Sequence, residues 1–396
     1  MNSPKRNLIL FVISILYFLS LHVLVAQCPS DPTELAKEVD QELGYLLSLA
    51  GPKTTSSFEL ENIECLLDFV QNNSAPPDYR PAEIDGTVSA YYAFSVDTSL
   101  SNLLRYCYSP ELNAAMLMPS VVRSFNWEEI EGIKQGVAPD LYEQLSILTA
   151  PFSYCGIARQ DLTPDINTGA YFSYSENQCM ILLPGATKTF ITIGVQRDKS
   201  DVGKKGAVIG DDDQWIYLYS GEQGVTARGL GWAKTYIYAA SSVTLYSETE
   251  SNTLNVAAFK WLDAGWSGLN MSKTKHLING MQRFADTLKT IMESASLPTY
   301  EILLDEQQKI AALPLEALRE QVAPYLAMVA AMDDPLVQRE PFSTQLTSGK
   351  YLQSLSQSDM EKILLTEYLK GQLGGQPLIA LPQANEPAEA GEAAPL

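Results

Sequence analysis

The sequence predicts an α+β protein: a helical first part, a central antiparallel sheet, a helical last part and a loose acidic tail. Three observations predict it. Apolar residues recur at helical spacing before residue 165 and after residue 272, β-branched and aromatic residues with turn pairs dominate between them, and large apolar groups vanish after Gly374-Gly375. The boundaries expected are 1–26 for a leader, 27–165 for a mainly helical region holding the cysteines, 166–268 for the sheet, 269–374 for a second helical region and 375–396 for a disordered tail.

The leader comes first. Lys5 and Arg6 precede an apolar run from Leu8 to Ala26, and Ala26 offers a small residue for cleavage before Gln27. Cleavage gives a secreted or periplasmic protein with no further membrane span. Two alternatives stay open, an uncleaved N-terminal anchor and lipidation of Cys28, although Gln27 is large for a lipoprotein site.

In the first helical region, Asp31-Pro32-Thr33-Glu34 supplies an N-cap acceptor, a proline where its missing N–H costs nothing, and an acid three residues after the cap. Leu35, Val39, Leu43, Leu46 and Leu47 then form one stripe ending at Gly51-Pro52. A second helix is expected over Glu59 to Val70, one strand from Val88 to Val96, and three further helices: one opened by Ser109-Pro110-Glu111, one capped by Asn126 and one over Pro139 to Thr149.

From Gly169 to about Trp261 the pattern predicts five to seven strands, with turns at Glu176-Asn177, Pro184-Gly185 and Gly221 to Gly224. Short connections favour hairpins, and no glycine-rich phosphate motif points to a parallel nucleotide-binding sheet. Helix returns with Leu277, Met281, Phe284, Leu288 and Ile291, then with Leu315, Leu318, Val322, Leu326 and Val329, where Pro324 predicts a bend, and finally over Asp359 to Gln372.

Charge and histidine content narrow the function. The net charge is -20, and loss of Lys5 and Arg6 with the leader makes it two units more negative, so nucleic acid and anionic headgroups are excluded as partners. With His22 inside the leader, His276 is the one imidazole left to the mature chain, too few for a multi-histidine metal site and a weak start for a triad. Ser272-Lys273-Thr274-Lys275 has the Ser-x-x-Lys spacing of penicillin-recognising enzymes but lacks their partner motifs, and Gly265-Trp266-Ser267-Gly268 lacks the last glycine of a nucleophile elbow.

All five cysteines lie in the first half of the chain without a C-x-x-C pair, so disulfides are expected in an oxidising compartment. The pairing expected is Cys155 with Cys179 and Cys65 with Cys107, the shorter loop contributing roughly 3.5 kcal/mol by chain entropy. Buried free thiols are the competing reading.

Two surface constellations remain. Trp215, Tyr217 and Tyr219 alternate with Ile216 and Leu218, so an exposed aromatic face, with Arg228 over it, would stack sugar rings or bind a peptide; the competing reading is half-buried core. Asp211 and Asp213, in an acidic loop with Asp198 and Asp201, offer oxygen ligands for calcium without matching an EF-hand; otherwise no cofactor is expected. The function expected is therefore non-catalytic binding of a protein or carbohydrate in the cell envelope or outside the cell. The alternatives are a glycosidase-like hydrolase working through Asp211, Asp213, Glu248 or Glu250, and a component of a secretion or surface assembly.

Overall fold

The computed structural model describes residues 28–51, 58–76, 78–227 and 231–379. The leader, Arg228 and most of the acidic tail lie outside the described residues. The first helix, α1 (Pro32–Leu49), starts where its cap predicts, with the Asp31 carboxylate accepting the N–H of Thr33 at 2.9 Å and of Glu34 at 3.1 Å. It buries Leu35, Val39, Leu43 and Leu46, with Leu49 rather than Leu47 completing the stripe. A short 3-10 turn (Leu60–Ile63) leads into α2 (Glu64–Gln71), and Glu42 of α1 accepts the N–H of Cys65 and of Leu66 at its start. Burial nevertheless pushes the Glu42 carboxyl up to about 7.

In chain order there follow β1 (Val88–Val96), α3 (Leu100–Cys107), α4 (Ala114–Leu117), β2 (Val122–Ile130), β3 (Ile133–Lys134), α5 (Leu141–Ser146), β4 (Phe152–Leu162), β5 (Ala170–Tyr171), β6 (Ser173–Leu183), β7 (Thr189–Gln196) and β8 (Lys204–Ile209). After them come β9 (Ile216–Gln223), β10 (Val225–Ala227), β11 (Gly231–Ala233), β12 (Thr235–Glu248), β13 (Leu254–Trp266) and β14 (Leu269–Asn270). The chain closes with α6 (Thr274–Met292), α7 (Tyr300–Ala311), α8 (Leu315–Ala330), α9 (Phe342–Thr347), α10 (Lys350–Ser354) and α11 (Gln357–Gln372). The fold is α+β.

One antiparallel sheet dominates, in the order β1-β13-β12-β7-β6-β4-β2-β3, with β14 beside β13; β5-β8-β9 make a second, small sheet, and β10-β11 a hairpin. The large sheet takes strands from both sides of residue 165, so β1, β2 and β4 from the cysteine-bearing region are built into it. Side-chain alternation gives its faces different covers. On one face Ile181, Ile191, Val243, Leu245 and Phe259 meet Val39, Leu43, Leu46, Leu66 and Phe69 of α1 and α2. On the other, Tyr154, Met180, Leu182, Phe190, Tyr246 and Val256 share a core with α3, the small sheet and the C-terminal helices. Beside that core α6 lies on β1 and β13, with Leu277 and Met281 against Ala90 and Ala258.

Several expectations need correction. Asn126 caps no helix; it lies in β2, where two register shifts against β4 break the alternation that would have marked a strand. Glu176-Asn177 is no turn but the middle of β6, its polar residues being read as a break although Glu176 is buried. The Ser109-Pro110-Glu111 segment leads only to the one-turn α4, whereas α7 and the short α9 and α10 escaped the periodicity reading. Pro324 lies inside α8, which runs through it as one assigned helix.

Candidate functional site

The aromatic strand does not form an open platform. Trp215 ends a 3-10 turn (Asp212–Gln214) in left-handed backbone, φ 52°, and β9 follows it. Tyr217 is buried, and its hydroxyl donates to Asp212 Oδ1 at 2.9 Å; Tyr219 is half-buried, and its N–H donates to the Tyr351 hydroxyl of α10 at 2.8 Å. Arg123 of β2 lies 4.0 Å from the Tyr219 ring centroid and 5.6 Å from that of Tyr171 while its Nε donates to Asp359 of α11 at 2.8 Å. The half-buried-core reading is the one this geometry follows, because α8, α10 and α11 seat on the aromatic side and leave no room for a stacked ring.

Charged groups fix that seat. Lys362 of α11 donates to the Val122 carbonyl, and burial, helped by Arg123 and opposed by Asp359, pushes its amine down to about 7. Farther along α11, Lys370 pairs with Glu367, both buried, and donates to the Gln214 carbonyl at 3.1 Å. Replacing such pairs with apolar residues is often energetically neutral, so their contribution is to the position of α11 more than to its affinity.

Trp215 does meet open space. Between the Asp212–Gln214 turn and α6 lies a cleft of about 270 Å³, lined by Asp212, Asp213, Trp215, Ile166 and a polar row of α6 comprising Asn279, Gln282, Arg283, Asp286, Thr287 and Thr290. Their spacing of three and four residues puts them on one side of the helix, while Leu277, Met281 and Leu288 bury the other. Arg283 ties the walls together. Its Nη2 donates to Asp212 Oδ1 at 2.6 Å, its Nη1 to the Pro164 carbonyl at 2.9 Å, and its guanidinium stands 5.3 Å from the Tyr217 ring. Burial works against this charge, yet the Asp212 hydrogen bond and the Tyr217 and Asp212 charges outweigh it and hold the group above its ordinary value. Thr287 is also engaged, 2.6 Å from the Ser120 hydroxyl.

Asp213, Asn279, Gln282 and Asp286 are different. None makes a side-chain hydrogen bond or ion pair among the described residues, and neither does the indole N–H of Trp215, a side chain only 6 % exposed. The cleft thus presents one indole donor, two carboxylates and two amides with their bonding capacity unused.

The remaining predicted residues fall elsewhere. Asp211 flanks the 3-10 turn, exposed and without a capping bond. Among the described residues no three His, Cys, Asp or Glu side chains group as metal ligands, so Asp211 and Asp213 lack the further acidic partners that calcium wants. Glu248 accepts the Leu100 N–H at 3.0 Å and so caps α3, and Ser272 is tied to β13, its hydroxyl accepting the Ala264 N–H at 3.1 Å. His276 is half-exposed in the first turn of α6. Arg228 lies outside the described residues.

The cysteines pair partly as expected. Cys155 and Cys179, direct partners across β4 and β6, form a disulfide, but Cys65 bonds to Cys28, and Cys107 is a buried free thiol within α3. The Cys65–Cys107 expectation fails because α3 packs on the opposite face of the sheet from α2. With its sulfur in the disulfide, Cys28 has no thiol to carry a lipid.

The sequence reading missed Arg283 and Asp286 as site residues, because the polar row opposite the apolar stripe of α6 reads as the ordinary solvent side of an amphipathic helix. No protein-family model matches the chain, and no curated protein matches it either. The functional reading therefore rests on the chain's own residues.

Proposed function

We propose that this is an exported, non-catalytic binding protein of the cell envelope or extracellular space, and that the cleft between α6 and the Asp212–Gln214 turn holds its ligand. One observation carries the reading: the nearly buried Trp215 lines the cleft with its indole N–H unpaired, beside carboxylates and amides equally uncommitted. An aromatic edge with planar polar side chains suits a neutral, hydroxyl-rich ligand, since each sugar hydroxyl both donates and accepts. Asp212 already neutralises Arg283, which leaves the cleft acidic and unwelcoming to anions. Two disulfides fit an oxidising compartment, and no helix among the described residues is long and apolar enough to cross a membrane.

The test is a glycan array followed by titration calorimetry of any hit against Trp215→Phe and Asp286→Asn. The first variant keeps an aromatic ring but removes the donor together with the pyrrole half of the indole. Binding of a neutral saccharide that weakens at least tenfold in each variant, with melting temperatures preserved, supports the proposal. An array without hits, or hits indifferent to both changes, overturns it.

A further inference from the structure

A second set of uncommitted polar groups lies on the large sheet itself, on the face that carries Tyr154, Met180 and Tyr246. Strand register puts Lys260 of β13 opposite Ser242 of β12, Ser242 opposite Gly194 of β7, Gly194 opposite Gln178 of β6, and Gln178 opposite Gly156 of β4. One row across five strands thus reads Lys, Ser, Gly, Gln, Gly. In the adjacent row Glu176 is paired with Gln196.

Gly194 makes room for the Glu176 carboxyl. A Cβ there would stand 2.9 Å from Glu176 Oε2 and 3.2 Å from Ser242 Oγ, so the carboxyl of β6 leans into space that any other residue would fill. Glu176 is buried, whereas Gln178, Gln196, Ser242 and Lys260 are half-buried. Hydrogen bonding here is incomplete. Gln178 Oε1 and Gln196 Oε1 are buried acceptors without a donor, although Gln196 Nε2 donates to the carbonyls of Asp198 and Ile237, which fixes the orientation of that amide. Lys260 makes no hydrogen bond or short ion pair among the described residues; burial lowers its amine from the ordinary value, and the charge of Glu176 on the same face opposes that shift.

These groups sort by chemistry. At the Glu176 end are three acceptor sites once the carboxyl is ionised, its oxygens and two amide oxygens, matching the three N–H donors of an ammonium group; across Ser242 stands the Lys260 amine, whose protonated form suits a carboxylate. We propose that this trough is a second binding site, separate from the cleft on α6, and that it takes a small zwitterion with an ammonium and a carboxylate a few bonds apart, as in a free α-amino acid.

The protonation state of Glu176 gives the proposal a distinctive signature. Desolvation, opposed by the Lys260 charge and the Gln160 hydrogen bond, pushes the empty site's carboxyl up to about 8, so it holds its proton at neutral pH. A bound ammonium would favour the carboxylate, and binding would then release about one proton between the ordinary carboxyl range and pH 8.

The experiment is calorimetry on the whole mature chain with the free amino acids, at pH 7 in two buffers of different ionisation enthalpy. Ethylamine and acetate serve as ligands with one end only. We expect an amino acid to bind, both one-ended analogues to bind at least tenfold more weakly, and the heat to change between buffers by the release of about one proton. Glu176→Gln, an isosteric change that removes a desolvated acid, should abolish the buffer dependence and weaken binding at least tenfold. Trp215→Phe should leave this binding unchanged, which separates the trough from the cleft. No binding by any amino acid at millimolar concentration, equal binding by ethylamine, or binding without proton release overturns the proposal. A high-resolution crystal soaked in amino acid that shows only water on Gln178 Oε1 and Gln196 Oε1 does the same.

Discussion

Asp212 accepts from Arg283 Nη2 at 2.6 Å, and this contact joins the turn that carries Trp215 to the helix that forms the other wall of the cleft. Neither side chain is fully buried, at 28 % and 11 % exposed, so the pair is screened in part.

Arg283→Met should therefore cost about 1–3 kcal/mol, less than the loss of a fully buried partner, because solvent compensates part of the stranded Asp212 charge. Urea unfolding measures it. The same variant should make the Asp212–Gln214 turn more susceptible to limited proteolysis, and an unchanged digestion rate would show that the clamp does not order the turn.

Gly194→Ala should fold and lose about 1–3 kcal/mol, since its Cβ meets the movable end of Glu176 rather than backbone. Combining it with Glu176→Ala should recover most of that loss. If the double variant is as unstable as the sum of the two single ones, the Glu176 side chain is not what fills the space over Gly194.

Glu176 gives a pH dependence with a defined sign. Its folded-state carboxyl is raised to about 8 from an ordinary 4.5, so its contribution is fully present below pH 4.5 and is lost as pH rises through about 8. Glu176→Gln should equal the parent protein in stability near pH 4 and exceed it at pH 9, as followed by denaturant midpoints. A constant difference across that range would place the titration elsewhere. Glu42, raised to about 7, leaves a residual slope of the same sign.

Thiol accounting checks the disulfides. The native protein should show no reactive thiol and the unfolded, unreduced protein one, because Cys107 is buried in α3 and burial pushes its thiol up to about 12. Peptide mapping should join Cys28 to Cys65. Breaking that link with Cys65→Ser should cost about 2–4 kcal/mol, as expected for a loop of this length.

How far the fold could be read from the sequence depended on whether an element's environment was local. The Asp31 cap and the α1 stripe were legible because both are written within a few residues. The strand β1 was legible from its alternation, but its partner β13 lies far along the chain, and nothing local indicates that pairing. In β2 the bulges shift the side-chain phase, and in β6 a buried acid looks like a turn residue until Gly194 on the neighbouring strand shows where the carboxyl goes.

The cleft was half legible for a similar reason. Asp213 and Trp215 stood out as unusual residues, and the structure brings both to one wall. The opposite wall is the polar side of an ordinary amphipathic helix, and no sequence feature distinguishes such a side facing a cleft from one facing bulk water. Tyr217 and Tyr219 share the alternation of Trp215 yet lie under α8, α10 and α11, whose docking depends on Arg123, Lys362 and Lys370.

That docking sets the order in which the molecule can be completed. The contacts of Lys362 with Val122 and of Lys370 with Gln214 join the last helix to segments synthesised 240 and 156 residues earlier. Until α11 emerges, the aromatic side of β9 has no lid and the core stays unfinished. Late closure therefore defers assembly: a nascent or truncated chain lacking α11 leaves this core open, and the fold is completed only when nearly the whole chain is available.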